Sequence, residues 1–446
     1  MSEILRIPEI RGLDTHASLI RIPPELDVPL TDRVRRLIDT AEFRRLARIS
    51  QLGLVSLVYP AGHHTRFEHS LGVYRLALLF LKQIAHHPRF QELLTPHHAE
   101  ILMTAALLHD IGHWPFCHLM EDLALPGIST HEKEGSLLIH QENIAGLLRK
   151  DWGIKPEEIG AVLTKQGHGQ VNEILMSILS GPIDIDKMDY LFRDSLHAGV
   201  PYGRHFDQGR LIASLCLNEK GNGLAVTEKG KTAAELMVFA RYVMFSEVYW
   251  HHSVRCAAAM LQRGFYEIMG RLDFSGMLRL SEAEMIEQFL TVSRGTAAEE
   301  LFDGLFGSTR RLYKRVVQYS ILEQPEIYRQ LAGKPYPWLC RCAKRLVQRI
   351  RQTGISDGHR KLQPTDILLD APPVEKEVEF RIDVYYPKTH IYRPFETVSP
   401  VVRALAKEQF DDYVKKVRIF AAPDIAASLR EPPSLASLIT DAIREE

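Results

Sequence analysis

The chain has no C-x-x-C pair. Its five cysteines, Cys117, Cys216, Cys256, Cys340 and Cys342, are odd in number and widely spaced except for one C-x-C. That leaves nothing from which to build a zinc ribbon. No apolar run approaches the ~20 residues that a membrane span needs. The opening MSEILRIPEIRGLD lacks the basic-then-apolar pattern of a secretory signal, so a reducing cytoplasm is the expected setting. Charge of one sign is not in excess either. Lys+Arg 55 against Asp+Glu 56 leaves a net charge of -1, and no global field draws the protein to nucleic acid or to a membrane surface. Internal repeats and long low-complexity segments are also missing. What remains is an ordinary globular composition, 45% hydrophobic and 25% charged, in a chain long enough for a large domain with a smaller lobe. Histidine is plentiful at 20, which supplies capacity for metal binding and acid–base work.

The periodicity predicts a mainly α protein. Residues 1–30 are short apolar pieces broken by Pro8, Pro23, Pro24 and Pro29, an arm leading into the domain. From 31 to 352 the pattern is helical almost throughout. LTDRVRRLIDTAEFRRLARIS places Val34, Leu37, Ile38 and Phe43 on one face behind a Thr31 or Asp32 cap. One break is a hairpin signal, two apolar runs flanking Gly221-Asn222-Gly223. Over 353–446 the style changes to a small α+β lobe: VEKEVEFRIDVYYP and KVRIFAAP read as strands, and SPVVRALAKEQFDDYVKK reads as a helix. The tail REPPSLASLITDAIREE is expected to fray or to dock on a partner.

Chemistry enters at ILMTAALLHDIGHWPFCH, residues 101–118. A segment apolar on all sides is a buried helix, and it runs into His109 and Asp110, groups that are costly to bury unless paired or bound to a metal. Two further polar residues are stranded in the same way. TRFEHSLG places His69 at the head of a helical run, and GPIDIDKMDYLFRD carries Asp186 just inside a helix start. Two histidines and two carboxylates form a mixed nitrogen and oxygen donor set. It suits a divalent Mn, Mg, Fe, Zn or Ni ion better than a soft metal.

The order H…HD…D, with H-D-x-G-H-x-P-F-x-H around the doublet, resembles the HD-domain phosphohydrolases. Within them it is similar to the deoxynucleoside triphosphate triphosphohydrolases that include the sterile-alpha-motif/HD protein. The resemblance runs from about Asp39 to about His251 through six ordered blocks, among them YPAGHHTRFEHSLGV, THEKEGS and ARYVMFSEVYWHH. It implies that His69, His109, Asp110 and Asp186 hold the metal. It also implies that His113, His118 and His131 contact phosphate oxygens, one of them as acid–base catalyst. Arg66, three residues and one turn before His69, is placed by its spacing to clamp the α-phosphate. Lys187 and Arg241 match positions that hold the outer phosphates. Gln51, Asp194 and Tyr249 match positions that meet the sugar, the tyrosine ring crowding the 2′ carbon. Spacing adds that Asp186, Tyr190 and Asp194, at i, i+4 and i+8, share one helix face ~12 Å long, about the reach from a phosphate to a sugar. The implied reaction is hydrolysis of a dNTP to deoxynucleoside and tripolyphosphate, by a homo-oligomer (dimer or tetramer).

The likeness stops short of a guanine-activated enzyme. The N-terminus reads GLDTHASLIRIPPELD where the best-known members carry D-P-x-H-G; Asp39 is kept, but Ala47 stands where they have a guanine-reading arginine. Two basic stretches, with Arg310, Arg311, Lys314 and Arg315 and then Arg341, Lys344, Arg345 and Arg349 at helical spacing, read as solvated faces or as an anion site for a nucleotide or single-stranded nucleic acid. The competing functions are an HD phosphohydrolase acting on another nucleotide or on nucleic-acid ends, and a non-catalytic nucleotide- or nucleic-acid-binding module in phage defence. The H-D-x-x-E-D pattern of alarmone hydrolases and the H-D-x-G-K pattern of cyclic-dinucleotide enzymes are both absent.

Overall fold

A computed structural model describes residues 2–15, 18–353, 360–373, 382–405, 410–430 and 435–446. Its longest helices assemble where the sequence supplies both a cap and an apolar run. Thr65 accepts the backbone N–H of Glu68 and starts α1, Arg66–Ile84. Thr95 and Pro96 start α2, Pro96–Leu108, which is buried from Ile101 to its end. Thr130 caps α3, His131–Ile139, and Asp184 caps α4, Ile185–Ala198. α5, Lys231–Met244, and α6, His252–Ile268, complete the frame. α1 packs on both α2 and α4, so the three elements carrying the candidate metal donors are neighbours in one core.

The N-terminal arm closes as a hairpin, β1 Leu19–Ile22 with β2 Leu26–Pro29, laid against α1. The expected Gly221-Asn222-Gly223 hairpin joins β3 Leu215–Leu217 to β4 Leu224–Thr227, with Gly221 at φ 72°. In one place the helical expectation fails. TRRLYKRVVQ is not a helix, because Lys314–Tyr319 forms strand β5, antiparallel to β9, Val417–Ala421. Val316, Val317 and Tyr319 suit a pleated, half-buried surface, and that preference prevails once β9 offers a ladder. The expected single helix after Thr31 is also split, into Asp32–Ile38 and Ala41–Arg45, because the Thr40 hydroxyl accepts the Phe43 N–H and starts a second helix.

The fold class is a mainly helical body with a small α+β lobe. The lobe holds the sheet β5-β9-β6, with β6 at Ile367–Asp370. Around it pack α6, α7 Tyr336–Thr353 and the C-terminal helix α8 Leu435–Arg444, in a second core that includes Phe265, Phe289, Phe302 and Phe420. The proposed boundary at 352 is crossed by two sheets: β5 joins strands that follow it. Strand β7, Asp383–Tyr386, runs parallel to β4 in the body and continues the sheet to β8, Ile391–Pro394. The rest of the expected strand, residues 374–381, lies outside the described residues, as do 406–409 of the expected helix, which is described only as Pro400–Arg403 and Phe410–Val414. Of the tail, 431–434 lie outside the description. The rest docks on its own chain, where Glu446 pairs with Arg341 and Arg345, and Glu445 with Arg349.

One buried ion pair ties the arm to the body. Glu9, fully buried, accepts Arg33 at 2.8 and 2.7 Å and the Thr31 hydroxyl at 2.6 Å, while Arg33 also reaches Glu100 at 2.7 Å. Burial alone would raise the Glu9 carboxyl, but the Arg33 guanidinium and Thr31 outweigh it and hold it below the usual range. Its stabilisation is therefore complete above the ordinary carboxylate range and is lost as pH falls through the lower folded value. Arg33→Ala leaves an uncompensated buried charge and should cost about 3–5 kcal/mol at pH 7. In that variant the folded pKa of Glu9 rises, so the gap to wild type should narrow at pH 5. Urea melts at both pH values check this; a gap independent of pH would show that Arg33 acts through packing alone.

Candidate metal centre and phosphate site

α2 ends at Leu108, and His109 is its C-terminal cap. The helix does not continue to His113, which reaches the site through the turn that follows. That turn is held from outside by Arg45, whose Nη2 donates to the carbonyls of Ile111 and His113 at 3.1 and 2.8 Å. Gly112 lets α3 approach, because a Cβ there would lie 2.1 Å from the His131 carbonyl and 2.2 Å from the Gly135 nitrogen. His131 is thereby seated against the His-Asp turn.

The donor atoms converge. His69 Nε2 lies 3.1 Å from Asp186 Oδ1 and 3.2 Å from His109 Nε2, and His109 Nε2 lies 3.8 Å from Asp186 Oδ1. Asp110 stands at the edge of this group, with Oδ1 3.4 Å from His109 Nε2 and Oδ2 accepting Arg66 Nη1 at 2.8 Å. Each histidine is oriented from behind. His109 Nδ1 donates to the Ala106 carbonyl at 2.9 Å, and His69 Nδ1 donates to Asp189 Oδ2 at 2.8 Å. Both Nε2 lone pairs are therefore turned to the common point, the arrangement that carboxylate-backed metal histidines adopt. Two imidazole nitrogens with carboxylate oxygens fit a divalent ion, as expected from the sequence. Burial would raise the Asp110 carboxyl, but His113, His109 and Arg66 hold it well below its ordinary range, so it is available as an anion.

A second group of imidazoles adjoins the first. His113 Nε2 lies 3.2 Å from His118 Nε2, and the His113 and His131 rings are 4.0 Å apart. Burial, then Arg66, pushes His113 well below the usual imidazole value. Glu121 accepts the His131 backbone N–H at 2.6 Å and its Nδ1 at 3.0 Å, and faces His118 Nδ1 at 3.6 Å.

At the far end of α4, Asp194 is buried. Its Oδ2 accepts the Tyr249 hydroxyl at 2.6 Å, and its Oδ1 lies 2.8 Å from His64 Nε2. His64 stacks on His197, which bonds Glu68 at 2.9 Å. Tyr249 reaches this point through an irregular turn. Phe245–Tyr249 is a π-helical extension of α5, so Arg241 and Tyr249 are not eight regular α-helical residues apart. Such widened turns often occur at functional sites. Tyr190 packs edge-on to Tyr249 at 6.4 Å. Gln51 lies beside His64, its backbone N–H bonded to the His64 carbonyl at 2.9 Å. Lys187 is engaged locally, with Nζ 2.5 Å from Asp184 Oδ2, and Arg241 sits over the Phe245 ring at 5.5 Å.

Sequence reasoning missed Asp189, Arg193, Glu68, His64, Glu121 and Arg45. Asp189 and Arg193 were visible as an i, i+4 pair, and Glu121 as three residues past His118; nothing local marked His64. Of the basic stretches, Arg310, Arg311, Lys314 and Arg315 gather with Arg430 and His252 around a cavity of about 870 Å³, whereas Arg341, Arg345 and Arg349 are neutralised by the tail. No described helix is long and apolar enough to cross a membrane.

A helical body whose buried turns bring histidines and aspartates to one point defines an HD-type metal centre. The HD domain model matches residues 66–193 and the HD associated region matches 206–431, so the chain belongs to the HD-domain family, within the metal-dependent phosphohydrolase superfamily. An uncharacterized protein of Methanocaldococcus jannaschii is 30% identical over 93% of this chain and 81% of its own length. Deoxynucleoside triphosphate triphosphohydrolase SAMHD1 of Homo sapiens is 28% identical over 62% of this chain and 48% of its own length. A hypothetical protein of Aquifex aeolicus of known crystal structure superposes with TM-score 0.72 at 28% identity, covering 93% of this chain and 98% of that one. Several other curated relatives are matched over about half of their length.

Because Asp189 turns His69 Nε2 toward the point where the candidate donors converge, Asp189→Asn should lower divalent-metal affinity by about 10- to 100-fold. Asp110→Ala, which removes a candidate donor at the edge of that group, should lose more. Equilibrium dialysis with elemental analysis measures both. Wild-type affinity in Asp189→Asn would mean that packing alone positions His69.

Proposed function

We propose that the protein hydrolyses deoxynucleoside triphosphates to deoxynucleoside and tripolyphosphate. The observation that carries this reading is that α4 bears the metal donor Asp186 at one end and the buried Asp194–Tyr249 pair eight residues on, ~12 Å along the axis. That separation suits one nucleotide, its α-phosphate at the ion and its sugar at Asp194. The printed activity of the human relative points the same way.

In this reading a bound divalent ion supplies Lewis acidity and a water of lowered pKa. The chain's residues do the rest. Arg66 lies at the phosphate side of Asp110 and stabilises negative charge on the α-phosphoryl oxygens. The His113–His118–His131 group adds donors there, and one of them gives a proton to the 5′ oxygen as the bond from that oxygen to the α-phosphorus breaks. Lys187, released from Asp184 by the incoming anion, and Arg241 take the outer phosphates. Asp194 accepts the 3′-hydroxyl, and Tyr249 and Tyr190 wall the sugar, with Gln51 beside them. The basic cavity around Arg310 and Lys314 serves as an anion site for a nucleotide or a single strand, and the protein works as a homo-oligomer.

Incubation with each dNTP and NTP in Mg or Mn, with products separated by chromatography, tests the reaction. Deoxynucleoside and tripolyphosphate are expected. dNMP with pyrophosphate, or dNDP with phosphate, would place the cut elsewhere and overturn the assignment.

Sugar choice gives a second test. Tyr249→Ala removes both the ring that crowds the 2′ carbon and the hydroxyl that donates to Asp194; Tyr249→Phe removes the hydroxyl alone. Removing the donor to Oδ2 of the buried Asp194, which keeps His64 on Oδ1, costs about 1–3 kcal/mol, roughly 5- to 150-fold, so both variants should lose kcat/KM for dATP. Only Tyr249→Ala should narrow the ratio of dATP to ATP. If Tyr249→Phe shifts the ratio equally, the hydroxyl discriminates and the ring does not.

A further inference from the structure

His64 is a histidine whose ring spends its hydrogen bonding on one partner. Its side chain is fully buried, and its Nε2 lies 2.8 Å from Asp194 Oδ1. A carboxylate oxygen accepts, so the ring donates there. The other nitrogen, Nδ1, is equally buried and meets no partner. Buried polar atoms are nearly always bonded, and an apolar side chain of similar size would fill the space without stranding a nitrogen. What the imidazole adds to this position is therefore its bond to Asp194.

The ring is held in place for that bond. The His64 carbonyl accepts the Gln51 backbone N–H at 2.9 Å, and Ser50 and Thr65 form an antiparallel bridge beside it. One face of the ring stacks on His197, with centroids 4.4 Å apart and planes 16° apart, and Glu68 holds His197 at 2.9 Å. Asp194 is consequently gripped through both oxygens, by His64 on Oδ1 and by the Tyr249 hydroxyl on Oδ2 at 2.6 Å. The last torsion of an aspartate is soft. A single donor leaves the carboxylate free to swing about it, whereas two donors on different oxygens fix its plane. A carboxylate offers about four acceptor positions, and those that remain then point in set directions.

We infer that His64 is a positioning residue for the sugar. By fixing the Asp194 carboxylate through Oδ1 it sets the direction from which a 3′-hydroxyl is accepted, and so how strongly a sugar carrying that hydroxyl is preferred. The inference rests on the reading that the nucleotide's sugar lies at Asp194, and it does not depend on which phosphate bond is cut.

The test compares kcat/KM, measured as nucleotide consumed whatever the products, for two substrates. One is the dNTP that wild type consumes fastest, and the other is its 2′,3′-dideoxy form. Wild type should favour the dNTP by about 5- to 150-fold, the loss expected when a buried acceptor is denied its donor. His64→Leu should lower kcat/KM for the dNTP and leave the dideoxy form nearly unchanged, so the preference collapses. His64→Gln, whose amide can donate near the Nε2 position, should keep most of the preference. His64→Asn, whose shorter amide reaches only the Nδ1 position, should lose it. Should His64→Leu fail to fold, as judged by its melting curve, the Gln and Asn variants decide. Equal loss on both substrates would show that His64 acts through packing alone. An unchanged preference in His64→Leu or His64→Asn would show that Tyr249 suffices to hold Asp194. Either result overturns the inference, as does a wild type that consumes no dNTP or ignores the 3′-hydroxyl. If the preference collapses as expected while the products are dNMP and pyrophosphate, His64 keeps its role and only the proposed cut fails, so the two are told apart.

Discussion

The buried Arg193 guanidinium is the constraint on which the site depends. Arg193 is 1% exposed and forks onto Asp189 through Nε and Nη2, each at 2.8 Å, while Nη1 reaches Glu68 at 2.7 Å and the Pro23 carbonyl at 3.2 Å. Burying a charge of this size is costly, and it is offset only when every donor finds an acceptor in good geometry. Here the acceptors come from the N-terminal hairpin, from α1 and from α4. The pair can sit against α1 because position 72 is glycine, where a Cβ would lie 1.9 Å from Asp189 Oδ1. Asp189 then uses the same carboxylate to hold His69. The need to satisfy one arginine therefore sets where α1 and α4 cross, and with it the distance between His69 and Asp186.

From that crossing a polar seam runs through an otherwise apolar body. Glu68 joins Arg193 to His197, His197 stacks on His64, and His64 meets Asp194, which takes the Tyr249 hydroxyl. The His69–His109–Asp186 cluster and the Asp194–Tyr249 pair are thus joined by one run of polar contacts, in which the His197–His64 link is a ring stack. Buried polar networks of this kind favour one packing, because a rearrangement strands charge in a low-dielectric interior. The same logic explains Asp110, which is shared among Arg66, His109 and His113, and Glu121, which serves both His131 and His118.

The α+β lobe follows a different rule. Its sheet is assembled from strands about a hundred residues apart in the chain, β5 pairing with β9, and its second core is aromatic and aliphatic. The cations of the two basic stretches separate there. One set rims a cavity beside β5; the other, on α7, is bound by carboxylates of the tail.

The amino-acid sequence by itself determined the helical body, the β3–β4 hairpin, the small α+β lobe and the family, because capping residues, apolar periodicity and ordered motif blocks are local properties. His69, His109 and Asp186, which the fold brings to one point, and Asp110 at their edge drew notice for a related reason: titratable groups inside apolar runs are conspicuous at short range. Only the tertiary structure decided that Lys314–Tyr319 is a strand, since an isolated β-branched segment has no ladder to join until β9 arrives from the other end of the chain. It also decided that α2 stops at Leu108, where the turn is taken over by Arg45 from a helix far earlier in the sequence. Asp189, His64 and Glu121 stayed hidden because their roles rest on partners 120, 130 and 10 residues away. The energy of burying charge depends on which groups meet in space, and only the folded chain brings them together.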